Sequence, residues 1–267
     1  MVSQTRLDGR KTAETRPIAV SFDKLARADG SARFSFGETM ALASFSGPIE
    51  VRLASELPSK ATFEVHLRPL SGVSAADAKS LSSAIRSTLE PSLFLNKAPR
   101  TLAQLVIQSL SPSRGASWSD TLSAAFINAS SLALVNAASI PMRGIVCAVA
   151  IGSLPDGTLV LDPSDAETAK LRGTGCFAFM FADDIEEAGT DTDCVWTSWR
   201  SIVGGYDEKE LYRAKEVARE GARTVYSAMK KSIQGAILGV GTVEPTRDEV
   251  VKTEESESSD DDEKMII

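Results

Sequence analysis

Apolar and polar residues alternate from Ala32 to Phe36 and again from Met40 to Phe45, with Gly37 and Glu38 between the two runs, and a third alternation covers Thr62 to Arg68. These runs predict antiparallel strands. In the third, Phe63, Val65 and Leu67 share one face while Thr62, Glu64, His66 and Arg68 share the other, so one side belongs to a core and the other to solvent or a channel. Spacing then changes to helical. Ala78, Leu81, Ile85 and Leu89 predict an amphipathic helix from Asp77 to about Leu95, followed by a buried strand over Leu102 to Leu110. Ser119 or Asp120 is the expected N-cap of a long helix to about Ala138, with Leu122, Phe126, Leu132 and Val135 as apolar members, and Pro141 stops the pattern. Three short strands follow at Ile145 to Ile151, Leu159 to Leu161 and Cys176 to Phe181, the first two joined by a turn at Pro155 to Gly157. Asp207 with Glu210 predicts a capping box for a helix that runs without proline to about Gln234.

Strands and helices thus recur in two stretches of similar length, which predicts an α+β domain over residues 1–242 with an internal βαβα pseudo-repeat, its halves at about 1–139 and 140–242. No GxGxxG joins a strand to a helix, so a dinucleotide-binding fold is excluded. Charge is distributed unevenly. Of 29 basic and 36 acidic side chains, residues 243–267 hold 3 and 10, which leaves 26 of each sign for residues 1–242. The body is therefore neutral and the tail carries the whole net charge of −7. Dense in charge and poor in apolar groups, 243–267 reads as a disordered acidic tail, and its run SESSDDDE at Ser256 to Glu263 suits an acid-directed kinase as well as a solubilising role. A neutral body binds nucleic acid weakly by itself, because neutralising phosphates supplies most of the affinity. No apolar run approaches membrane-spanning length, and the first residues lack the apolar core of a secretory signal, so cytosol or nucleus is expected. Cys147, Cys176 and Cys194, odd in number and without CxxC spacing, predict neither a disulfide nor a metal site.

RLDGRKTAETRPI at Arg6 to Ile18, SFGETMALASFSGPIEVR at Ser35 to Arg52, IPMRGIVCAVAIG at Ile140 to Gly152 and DGTLVLDPS at Asp156 to Ser164 come in an order that resembles ribonuclease PH and its relatives in the exosome ring, over about residues 6–235. The resemblance implies a ribonuclease PH-like (ribosomal protein S5 domain 2-like) fold. Active family members carry a glycine pair followed by TRTAA at the start of the central helix, where amides, hydroxyls and an arginine hold the attacking phosphate. Here the segment reads SDTLSAAFINA: Thr121, Ser123, Ala124 and Ala125 match, Leu122 replaces the arginine, and Ser119 and Asp120 replace the glycines. A carboxylate at that helix terminus is expected to occupy the place of an anion. Active relatives also use two aspartates six residues apart as general acid and metal ligand. Asp162 matches the first and Thr168 stands at the second, with Asp165 and Glu167 as possible shifted carboxylates. The site formed by Asp120, Leu122, Ser123, Asp162 and Thr168 is thus expected to be vestigial, with no catalytic residue, cofactor or metal.

By the same resemblance the chain is expected to be a non-catalytic scaffold, working with other ribonuclease PH-like ring subunits, RNA-binding cap subunits and a separate nuclease, in nucleus, nucleolus and cytoplasm and at no membrane. RNA would pass through the assembled channel, with Arg68 and His66 as candidate contacts. The rival readings are an active phosphorolytic 3′ to 5′ exoribonuclease that uses Asp162, and an isolated RNA-binding module. Read from the residues alone, Asp162 before Pro163 also suits a plain turn residue, His66 a surface histidine, and Trp196 with Trp199 either base stacking or packing. Met40 to Val51 and Cys176 to Phe181 are the candidate strand edges or apolar surfaces for partner subunits.

Overall fold

The first three alternations build one sheet. β1 (Ile18–Ser21), β2 (Gly30–Phe36), β3 (Thr39–Glu50), β4 (Thr62–Arg68) and β5 (Thr101–Ser109) lie in the order β1-β2-β3-β5-β4. The computed structural model describes residues 6, 8–112, 118–182, 193–202, 204–205 and 207–238. β2 and β3 pair antiparallel across the turn at Gly37 and Glu38, where Gly37 adopts a φ of 54° that suits glycine. β4 departs from expectation: it runs parallel to β5, Thr62 opposite Leu102 and Arg68 opposite Gln108. The reason is the crossover between them. α1 (Ala76–Leu89) and two short 3-10 turns carry the chain back to the end at which β4 began, which is what parallel pairing requires. α1 stops at Leu89, short of Leu95: Glu90 keeps helical dihedrals, but Pro91 has no N–H to continue the i to i−4 ladder, and the chain passes into the 3-10 turn Glu90–Ser92.

α2 (Asp120–Ala137) is buried on all sides from Asp120 to Leu134, since it packs against β2 and β3 and also against β6 (Ile145–Ser153) and β8 (Gly173–Phe181). Its polar members are used. β7 (Leu159–Leu161) covers only the Ile151 to Ser153 end of β6, and beyond it Asn128 donates to Ala148 O at 2.9 Å and accepts from Ala148 N at 2.7 Å, while Ser131 donates to Val146 O at 2.6 Å. Helix side chains thereby satisfy backbone groups that a strand edge leaves open.

β6, β7 and β8 form the second sheet with β9 (Asp193–Thr197) and β10 (Arg200–Ser201), in the order β10-β8-β6-β7 with β9 also on β8, and these pairings are antiparallel. β6 and β8 have nine residues each, longer than the alternation alone indicated. α3 (Asp165–Thr168) joins β7 to β8, and α4 (Glu208–Ile237) buries Ala214, Ala218, Gly221, Ala222, Val225 and Met229. Glu210, in the first turn of α4, serves the second sheet: one oxygen accepts from Ser153 Oγ at 2.6 Å and the other pairs with Arg172. Residues 1–232 form one unit, and Ile233 onward belongs to a second that is described as far as Leu238; the acidic tail lies outside the described residues.

Two expectations about partner surfaces change. β3 and β8 are interior strands with a neighbour on either side, so Met40 to Val51 and Cys176 to Phe181 present no free edge, apart from the exposed end of β3 at Pro48 to Glu50. Trp199 lies over Gly173 and Gly175, its ring 6.0 Å from that of Phe177, which makes it a packing residue. Cys147 and Cys176 are buried free thiols, and burial pushes both above the ordinary thiol range.

Candidate functional site

The N-terminus of α2 is closed by Ser119, whose Oγ accepts from Leu122 N at 3.2 Å. Asp120 does something other than cap it. Its carboxylate is taken by the second sheet: Oδ2 accepts from Thr174 Oγ1 at 2.8 Å, and Oδ1 accepts from Arg200 Nη1 at 2.8 Å and from Ser198 Oγ at 3.4 Å. The carboxylate therefore ties α2 to β8 and β10, a partner choice that sequence spacing did not disclose. The hydroxyls of the first turn are committed too. Thr121 Oγ1 donates to Pro163 O at 3.1 Å and Ser123 Oγ to Ser119 O at 3.0 Å. Leu122, in the first turn of α2, has an apolar side chain with 2% exposure.

Asp162 sits at the end of β7 with φ of 48°, a left-handed conformation that aspartate tolerates better than most residues, and it is fully buried. Arg16 holds its carboxylate from three directions: the backbone N at 2.8 Å and Nε at 2.9 Å reach Oδ2, and Nη2 reaches Oδ1 at 2.7 Å. Arg10 Nη1 lies 3.6 Å from Oδ2. Beside it, Arg6 enters almost wholly buried, with Nε 2.8 Å and Nη2 2.5 Å from the two oxygens of Glu167 and further bonds to Leu161 O, Asp162 O and Glu14 O. Burial by itself would raise the Glu167 pKa, but the bonds from Arg6 and Ser164 and the charge of Arg6 hold it down to about 2. Thr168 is exposed and donates to Ser164 O at 3.0 Å. Asp162 and Glu167 are thus neutralised by arginines from the chain's first residues, whose presence was legible but whose destination was not.

These elements surround a cleft of about 400 Å³ lined by Arg16, Pro17, the 37–39 turn, Ser111, Pro112, Ser119, Leu122 and the 164–166 segment. Its charged lining among the described residues is Glu38, Asp165 and Arg16, and the arginine already serves Asp162. An entering phosphate thus meets two carboxylates and one committed cation. His66 and Arg68 lie apart from this lining, on the exposed face of β4 at the sheet's edge, with His66 Nε2 3.4 Å from a Glu64 oxygen. Among the described residues no group of His, Cys, Asp and Glu side chains is placed to hold a metal ion, and no helix is long and apolar enough to cross a membrane.

Residues 14–139 match the model of the 3' exoribonuclease family, domain 1. The chain is 31% identical over 178 residues to the "Exosome complex exonuclease RRP46 homolog" of Oryza sativa subsp. japonica, covering 67% of this chain and 72% of the relative. It is 30% identical over 250 residues to "Exosome complex component Rrp41" of Archaeoglobus fulgidus, covering 90% and 91%. Among solved structures, rice Rrp46 superimposes with a TM-score of 0.71 at 26% identity, over 84% of this chain and 98% of that one.

Proposed function

Because the chain belongs to the 3′ exoribonuclease (RNase PH) family, we propose that it is a non-catalytic structural subunit of an exosome core ring, helping to form the channel that leads RNA to a separate nuclease for 3′ to 5′ processing and decay. The observation that carries this reading is the cleft. It offers Leu122 where active relatives place an arginine, and its own arginine is held by Asp162. A charge-assisted bond to phosphate contributes about 1.5 to 3 kcal/mol, and losing such a donor commonly costs a hundredfold or more in rate. Residues 1–242 are the ring-building body and 243–267 an acidic appendage. The partners are other ribonuclease PH-like subunits, RNA-binding cap subunits and an associated nuclease, in nucleus, nucleolus and cytoplasm. His66 and Arg68, exposed on β4, are candidates for the RNA path.

Catalysis is tested with purified chain, magnesium, inorganic phosphate and single-stranded RNA. No nucleoside diphosphate is expected, and Leu122→Arg alone will not restore release, because Thr168 supplies no carboxylate. Phosphate-dependent shortening of RNA by the unmodified protein would establish the active exoribonuclease instead. Assembly is tested separately by light scattering of the chain alone and after co-expression with family ring subunits. A defined hetero-oligomer is expected, each contact burying more than about 1,000 Å². A monomer that joins no complex would overturn the scaffold reading.

A further inference from the structure

The cleft has two facing walls that come from distant parts of the chain. One is the turn Gly37 to Thr39 and the other the segment Ser164 to Ala166, which follows Asp162. Arg16 reaches both. Its Nη1 donates to Thr39 Oγ1 at 3.0 Å, while Nε, Nη2 and the backbone N hold the Asp162 carboxylate. A guanidinium is planar, so its donors cannot follow two walls that move apart.

The segment around Arg16 makes one further bond to each side: Gly37 N donates to Pro17 O at 2.8 Å and Leu161 N to Thr12 O at 2.8 Å. Residues 8–17 bury no side chain completely, so polar bonds and not core packing hold this stretch of chain.

We propose that Arg16 is a tie-bar: one guanidinium, anchored in Asp162 and reaching Thr39, sets the separation of the two walls and so the width of the cleft. Width then depends on residue 16 and not only on how the two sheets pack on α2. An occupant that needs a wider cleft must break the tie, and one that fits the present width binds to a preformed site. The inference does not rest on the absence of catalysis, since the tie exists whether or not the cleft turns over substrate.

Hydrogen exchange of the full chain tests it, because Gly37 N and Leu161 N report on the two sides separately. In Arg16→Lys, which keeps a charge but cannot span both acceptors, both amides are expected to exchange at least about tenfold faster, the equivalent of losing one charge-assisted bond. Amides at Ile107 and Phe179, inside the two sheets, should stay within about twofold. Thr39→Val, which removes only one anchor, should accelerate Gly37 N and leave Leu161 N unchanged. Unchanged exchange at both reporters in Arg16→Lys would overturn the proposal. A response on one side only in Arg16→Lys, acceleration of both reporters in Thr39→Val, or an equal acceleration of Ile107 and Phe179 would overturn it as well, the last by showing a general stabiliser in place of a tie.

Discussion

Replacing Arg6 with alanine is expected to destabilise the protein by about 3 to 5 kcal/mol, because it removes the bidentate cation from the buried Glu167 carboxylate and the Arg6 donor from Leu161 O, leaving Glu167 with Ser164 and a more distant Arg10, and Asp162 O with Arg10. For a body of this size each kcal/mol lowers the melting temperature by roughly 2 to 4 °C, so a fall of about 6 to 20 °C should be seen by calorimetry. Two controls separate this mechanism from a general loss of packing. Adding Glu167→Gln to Arg6→Ala should recover at least about 1 kcal/mol, since a stranded charge costs more than a stranded amide. The pair also has a pH signature. The folded pKa of Glu167 is depressed from 4.5 to about 2, so its contribution is present above about pH 4.5 and is lost as pH falls toward 2. The wild type should therefore lose stability across that window more steeply than Arg6→Ala. Parallel curves would show that the Arg6 pair is not the source.

Gly30→Ala is expected to cost about 3 kcal/mol or more, although it adds a single methyl group at the first residue of β2. That methyl would sit 2.3 Å from Ala137 N and 2.5 Å from Ala133 O, both backbone atoms of the last turns of α2. Backbone cannot rotate away as a side chain can, so the helix or the strand must shift. α2 also packs on the second sheet, so the shift is transmitted there. Chemical denaturation should show a lower midpoint with an unchanged slope. Stability within about 0.5 kcal/mol of the wild type would mean that α2 and β2 stand further apart than described.

Legibility in the sequence followed the range of the interaction. β2 and β3 were readable because a period of two and a Gly37 turn are local signals, and the start of α2 because Ser119 caps a bond three residues away. The parallel partner of β4 was not readable, since one face of alternating residues looks the same whichever strand lies beside it. In the site, Leu122 stood out only through the resemblance to the family's TRTAA segment, which implies an arginine there. The employment of Asp120 by Thr174 and Arg200 was invisible, as was that of Asp162 by Arg16, because these partners lie 54 to 146 residues apart.

The sequence by itself determined most of the strands and the three long helices, though not β1, α3, β9 or β10, together with the neutrality of the body and the lack of an arginine at the start of the central helix. These follow from side-chain type and short spacing, which need no knowledge of neighbours. Only the tertiary structure decided that three arginines from the first residues turn back onto Asp162 and Glu167, and that Asp120 ties α2 to the second sheet. The physical reason is that an ion pair is set by proximity after folding, and any of the chain's cations is chemically an acceptable partner until the fold brings one within 3 Å.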